Sequence, residues 1–134
     1  RDRRWAGRRG LQGLGRLLRK ARAACAWCVV TCGARGVRVY PLAPTVGRAA
    51  RPWRIAAPKV KPVDTVGAGD CFNGTLAAYL AECPSDVAGA VRFAVTAAAL
   101  KVTRHGAQAG LPRRAEIRRA AQRWKCVART PSGT

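Results

Sequence analysis

The spacing of apolar and polar positions changes several times along this chain, and each change marks an element. Leu11, Leu14, Leu17, Leu18 and Ala21 fall on one helical face, with Arg16, Arg19, Lys20 and Arg22 elsewhere, which predicts a helix over 11–22 weakened at its start by Gly13 and Gly15. Trp27 to Cys32 is a short apolar run that predicts a buried strand. Gly33-Ala34-Arg35-Gly36 reads as a turn, and Val37, Val39 and Tyr40 as a second strand. Pro41 to Pro58 reads as a loop with room for a partial strand, and Lys59 to Val63 as an extended stretch entering a Gly-rich turn.

Phe72, Leu76, Tyr79 and Leu80 stand at i, i+4, i+7 and i+8, so a helix follows that turn. Cys83-Pro84-Ser85 ends it, and Ser85 or Asp86 can cap the next. The buried stripe of that next helix is Val87, Val91, Ala94, Val95, Ala98 and Val102, and its many alanines predict close helix packing. Arg104 to Gly110 is a polar loop, and Pro112 opens a last helix with Ile117, Ala120, Ala121 and Trp124 on one face. Residues 1–10 read as a basic, disordered N-terminus, 11–124 as one folded unit, and 125–134 as a disordered tail.

Composition adds a strong charge. The 134 residues hold 26 Lys and Arg against 6 Asp and Glu, a net charge of +20. Such an excess attracts nucleic acid or anionic surfaces. Here it is spread along the chain, densest at Arg1 to Arg22 and Arg113 to Arg123, with only Trp5 and Trp124 interleaved. Solvated arginines on helices account for it, with weak, non-specific phosphate attraction remaining. No apolar run approaches the roughly 18 residues that span a bilayer, and no signal segment follows Arg1-Asp2-Arg3-Arg4, so the chain is read as soluble and cytoplasmic, with its true start upstream.

The six cysteines, Cys25, Cys28, Cys32, Cys71, Cys83 and Cys126, sit in apolar stretches and are read as buried free thiols. Cys25 and Cys28 have the spacing of half a zinc site, and no second pair completes a tetrahedral set. Asn73-Gly74-Thr75 matches a glycosylation sequon but falls inside a predicted helix and is discounted.

The candidate chemistry lies at Asp64-Thr65-Val66-Gly67-Ala68-Gly69-Asp70. An extended stretch, a Gly-rich turn and then a helix form a phosphate-binding geometry. Glycine lets the backbone approach an anion, successive N–H groups form a nest, and the helix N-terminus adds unpaired N–H groups and the positive end of its dipole. A carboxylate at Asp70, where nest meets helix, can take a proton from a substrate hydroxyl beside the anion. Taken alone, a Gly turn followed by an Asp helix cap is more often structural, because Gly-rich turns are common. The turn is neither a P-loop nor a GxGxxG fingerprint.

Asp64 to Gly74 resembles the C-terminal signature of the PfkB/ribokinase family of carbohydrate kinases. Val29 to Val37 resembles that family's nucleotide-loop segment, and Ala90 to Ala94 and Val102 to Gln108 resemble later segments, in the family's order. The resemblance implies the C-terminal part of an α/β, three-layer α/β/α sandwich with a largely parallel central sheet. It implies ATP-dependent phosphorylation of a small sugar such as ribose, with Asp70 as general base and Gly67, Ala68 and Gly69 as anion hole. Thr31, Gly33, Ala34, Arg35 and Gly36, with Gly69, Asp70 and Val95, would bind nucleotide. Magnesium would bridge the ATP phosphates. A potassium ion would be held by Asp64 and the carbonyls of Val66, Lys101, Arg104 and Gly106. Several features depart from the pattern: Gly110 stands where ribokinases often present a serine, Lys101 where they carry a small residue, Cys32 and Cys71 where other small or apolar residues are common, and the loop from Tyr40 to Lys59 is longer than usual. His105, the only histidine, has no role in the family and reads as a surface-loop residue.

Family members are more than twice this length, and the half that supplies the sugar-binding glycines and the lid is not represented here. The resemblance therefore predicts an exposed sheet edge, with poor solubility or homo-oligomerisation. Two other readings stay open: a non-catalytic remnant that binds nucleotide or nothing, and a basic nucleic-acid-binding module using the Arg-rich ends.

Overall fold

The structure, a computed structural model, describes residues 25–42, 52–124 and 128–129. The helix expected over 11–22 and the basic segment 1–10 lie outside the described residues. Four strands, β1 (Trp27–Thr31), β2 (Val37–Pro41), β3 (Trp53–Ile55) and β4 (Ala128–Arg129), form one sheet in the order β1-β2-β3-β4. Three helices follow β3 in the chain: α1 (Ala68–Glu82), α2 (Val87–Lys101) and α3 (Arg114–Trp124).

Every strand pairing among the described residues is antiparallel, which corrects the expected largely parallel sheet for this part of the fold. The reason is local. β1 and β2 are joined through the short turn at Gly33–Arg35, with Trp27 opposite Pro41 and Thr31 opposite Val37. A parallel pair would need a crossover of about a dozen residues. Of two further expectations, the first is met and the second corrected. The loop from Pro41 to Pro58 yields a strand, β3, pairing Val37 with Ile55 and Val39 with Trp53. The tail, read as disordered, contributes β4 at Ala128–Arg129, paired with Ile55 and Arg54.

The register fixes the core. Val37, Val39 and Ile55 are buried on one face of the sheet, while Arg38 and Arg54 alternate to solvent. Against that face pack Phe72 from α1 and Val91, Ala94 and Val95 from α2. The opposite side of α2 buries Ala97 in a second cluster with Cys71 and Ile117. The expected stripe on α2 is thus present at Val91, Ala94 and Val95, with Val87, Ala98 and Val102 half-buried. Covered by the sheet on one side and by α1 and α3 on another, the helix must be narrow, and its alanines make it so.

Helix ends follow local chemistry. Of the two candidate caps, Asp86 serves α2: its Oδ1 accepts the Gly89 N–H at 2.8 Å and its Oδ2 the Tyr79 hydroxyl at 2.9 Å. The last helix begins at Arg114, two residues after Pro112, because Glu116 reaches back to accept the Arg113 N–H at 2.7 Å. Arg114 also pairs with Glu82, tying α3 to the end of α1.

The cysteine reading is corrected in part. The five described cysteines are free, but only Cys71 is buried, and that burial pushes its thiol up. Cys25 and Cys83 are exposed, while Cys28 and Cys32 are half-buried, because the strand and helix ends they occupy lie at the rim of the core. No described helix is long and apolar enough to cross a membrane.

Candidate active site

Gly67 closes the extended stretch from Lys59 and opens α1. Its φ of +78° is left-handed, a conformation glycine adopts without the penalty other residues meet, and a Cβ there would also press on Ala107 at 3.3 Å. Its carbonyl accepts the first helical N–H, from Cys71, at 2.9 Å. The Ala68 N–H donates to Thr65 O at 3.2 Å. The N–H groups of Gly69 and Asp70 meet no protein acceptor among the described residues. Of the expected Gly67–Gly69 anion hole, then, Ala68 is already engaged within the turn, while Gly69 and the adjoining Asp70 amide remain open for an anion.

A cleft of about 500 Å³ opens beside this turn, within the size range of small-ligand sites. Thr31, Gly33, Ala34 and Gly36, from the β1–β2 turn, form one wall. Ala68 and Gly69 line the end at α1, and Val95 and Ala98 on α2 form the floor. The site residues expected from two distant parts of the sequence therefore meet. Three of them do not line the cleft: Arg35, exposed at the end of its turn, Gly67, and Asp70, exposed on the first turn of α1.

The extended stretch, read only as a connection, supplies a third wall through Ala57, Pro58, Val60 and Pro62, and Phe72 adds to the apolar lining. Its two prolines carry no N–H that would need a partner, which suits an extended segment facing a cavity.

Asp64 is the anchor of the turn. Its Oδ1 accepts the Val66 N–H and its Oδ2 the Gly106 N–H, each at 2.9 Å. Those two bonds, Val66 first, hold its carboxyl below the usual range, and the neighbouring Lys101 ammonium pulls the same way. Lys101 Nζ donates to Asp64 O at 3.0 Å and lies 3.5 Å from Oδ2. The Val63 and Asp64 N–H groups both donate to Val102 O, at 2.7 and 3.1 Å. Asp64 thus joins the Gly-rich turn to the loop after α2.

That loop is also closed on itself. Gly106, at φ +83°, accepts the Gly110 N–H through its carbonyl at 3.0 Å, and Lys101 O accepts the Arg104 N–H at 3.0 Å. The Arg104 guanidinium grips both oxygens of Glu116, at 2.6 and 3.3 Å. His105 is exposed.

Residues 3–114 match the pfkB family of carbohydrate kinases. The ribokinase of Bacillus subtilis (strain 168) is 53% identical over 58 residues, 43% of this chain and 20% of its own length. The ribokinase of Lactococcus lactis subsp. lactis (strain IL1403) is 39% identical over 90 residues, 67% of this chain and 27% of its own. A ribokinase II from E. coli, solved in complex with ATP and magnesium, superposes with a TM-score of 0.69 at 28% identity, covering 85% of this chain and 33% of that one. The chain spans between a fifth and a third of the length of these relatives. Its described elements have the ribokinase-like α/β fold, its Gly-rich turn stands beside a cleft built from the family's segments, and the chain belongs to the pfkB family of carbohydrate kinases.

Proposed function

We propose that this chain carries the nucleotide-binding and proton-accepting part of a kinase that transfers the terminal phosphoryl group of ATP to a hydroxyl of a small sugar. The observation that carries this reading is the meeting, in one cleft, of the β1–β2 turn with a helix N-terminus whose Gly69 and Asp70 amides are open.

The cleft suits ATP. Val95 and Ala98 offer an apolar surface for a base, and the small residues Gly33, Ala34 and Gly36 leave room for a ribose and phosphates. The open amides and the dipole of the 15-residue α1 stabilise charge on the transferred group. Asp70, directly after Gly69, takes the proton of the sugar hydroxyl as the new O–P bond forms and the bond to the departing ADP oxygen breaks. Magnesium, when bound with ATP, neutralises phosphate charge. Ribose is the sugar favoured by the Gly106-Ala107-Gln108 segment, with fructose and adenosine as the competing acceptors.

The test has two stages. Calorimetric titration of the chain with ATP and magnesium should show saturable binding, and its absence would sink the nucleotide site. In a version that contains the sugar-binding half, Asp70→Asn should lower kcat by at least ~100-fold with ATP affinity kept. Turnover within a few-fold of the parent would remove Asp70 from the role of base. ATP binding with no transfer by the completed version would favour the remnant reading.

A further inference from the structure

One position that departs from the family pattern is also the most deeply buried charge among the described residues. Lys101 ends α2, and its side chain is 0% exposed. An ammonium withdrawn from water must find compensating oxygens. Lys101 finds the Asp64 carbonyl at 3.0 Å and the Asp64 carboxylate at 3.5 Å, the residue that would anchor the family's monovalent ion.

Two of the four carbonyl oxygens that would ring such an ion are engaged as well. Lys101 O and Gly106 O each accept a loop N–H at 3.0 Å. At Gly110 no side chain can replace them: a Cβ would lie 2.7 Å from Gly106 O and 3.0 Å from His105 O, so a serine there would need the loop to move. Two departures, one adding a cation at Asp64 and one leaving no room for a side chain at Gly106 O, bear on the same turn and loop. A free ion in contact with Asp64 Oδ2 would also sit against the like charge of Nζ, which lies 3.5 Å from that oxygen. The residues therefore do not fit a potassium ion.

We propose that the Lys101 ammonium is a tethered replacement for the monovalent cation, holding the turn at Asp64–Val66 against the loop at Arg104–Gly106, so that this site has no need of potassium. The role given to that charge, support of the anion site next to it, rests on the kinase reading. The geometry of the replacement does not.

The experiment uses the whole chain and reads binding and stability. Thermal unfolding in potassium chloride and in tetramethylammonium chloride, at equal ionic strength, should give the same Tm, and thallium(I), followed by its NMR signal, should show no saturable binding. Lys101→Ala should lose several degrees in tetramethylammonium, recover part of that loss in potassium, and bind thallium. Lys101→Met, which fills the space without the charge, should lose stability equally in both salts. Saturable thallium binding or a potassium-specific rise in Tm of the unaltered chain would overturn the proposal. So would a folded Lys101→Ala that ignores potassium. If neither variant folds, the thallium titration of the unaltered chain decides alone. An ATP titration run beside these keeps the two readings apart, since failure to bind ATP counts against the kinase site and leaves the salt comparison intact.

Discussion

Two glycines of the cleft show how differently one residue type can be used. Gly36 has φ +91°, and a Cβ on it would lie 2.0 Å from Ile55 O and 2.6 Å from Ala57 N, both backbone atoms that cannot swing aside. Gly36→Ala should destabilise the chain by at least ~2 kcal/mol, from left-handed strain and the forced separation of β2 and β3. A denaturant midpoint equal to the parent's would contradict this. Gly69 has open space around it and lies within α1, so Gly69→Ala should leave stability unchanged or raise it by up to ~1 kcal/mol. If the Gly69 backbone approaches a phosphate, the same change should weaken ATP binding about tenfold or more, and calorimetry that finds equal affinity would assign the glycine no role in the site. At this scale the sequence was legible where conformation itself is the signal, as in Gly67-Ala68-Gly69. At Lys101 it showed a departure from the family pattern but not the burial: that comes from the packing of the loop over it, with Asp64 from 37 residues away as its partner.

Among the elements, the start of α3 carries the clearest pH dependence. Glu116 accepts hydrogen bonds from the Arg104 guanidinium and the Arg113 N–H, and these hold its carboxyl down at about 2, from an ordinary 4.5. The folded value lies below the unfolded one, so the stabilisation is complete above about pH 4.5 and is lost as the pH falls toward 2. Asp64, also lowered, adds loss in the same direction. Glu116→Gln should therefore lower the Tm at neutral pH and flatten its acid arm. An acid arm as steep as the parent's would show that the Arg104–Glu116 pair contributes nothing to the fold. The sequence placed every described helix, because the apolar spacings at Phe72–Leu80, Val87–Val102 and Ile117–Trp124 match a helical period and breakers stand between them. It missed the start of α3 by two residues, since the back-reaching Glu116 is indistinguishable in sequence from any other surface carboxylate. It resolved β3 poorly and missed β4, since strands of three and two residues are defined by their partners and leave no period of their own.

The whole molecule is governed by its charge. The resemblance implied the fold class and both walls of the cleft, and the antiparallel order of these strands was masked by what is usual for the family's sheet as a whole. A charge of +20 on 134 residues leaves few acids to offset it: of the five described acidic residues, Glu82, Glu116 and Asp64 are each already paired with one cation. Arg38 and Arg54 face each other across β2 and β3, an arrangement that repels. Folding brings these cations closer than they lie in the unfolded chain, so the repulsion opposes folding. Raising the ionic strength from about 0.1 M to about 1 M shortens the screening length from ~10 Å to ~3 Å and should relieve most of it. The Tm should rise with sodium chloride over that range, and rise further with phosphate if, as proposed, the open amides at Gly69 and Asp70 bind an anion. Binding to unrelated nucleic acid should fall over the same range, as expected of phosphate contacts without base readout. A Tm that falls with added salt would show that ion pairs outweigh repulsion, and nucleic-acid binding that persists at high salt would restore the basic-module reading over the one proposed here.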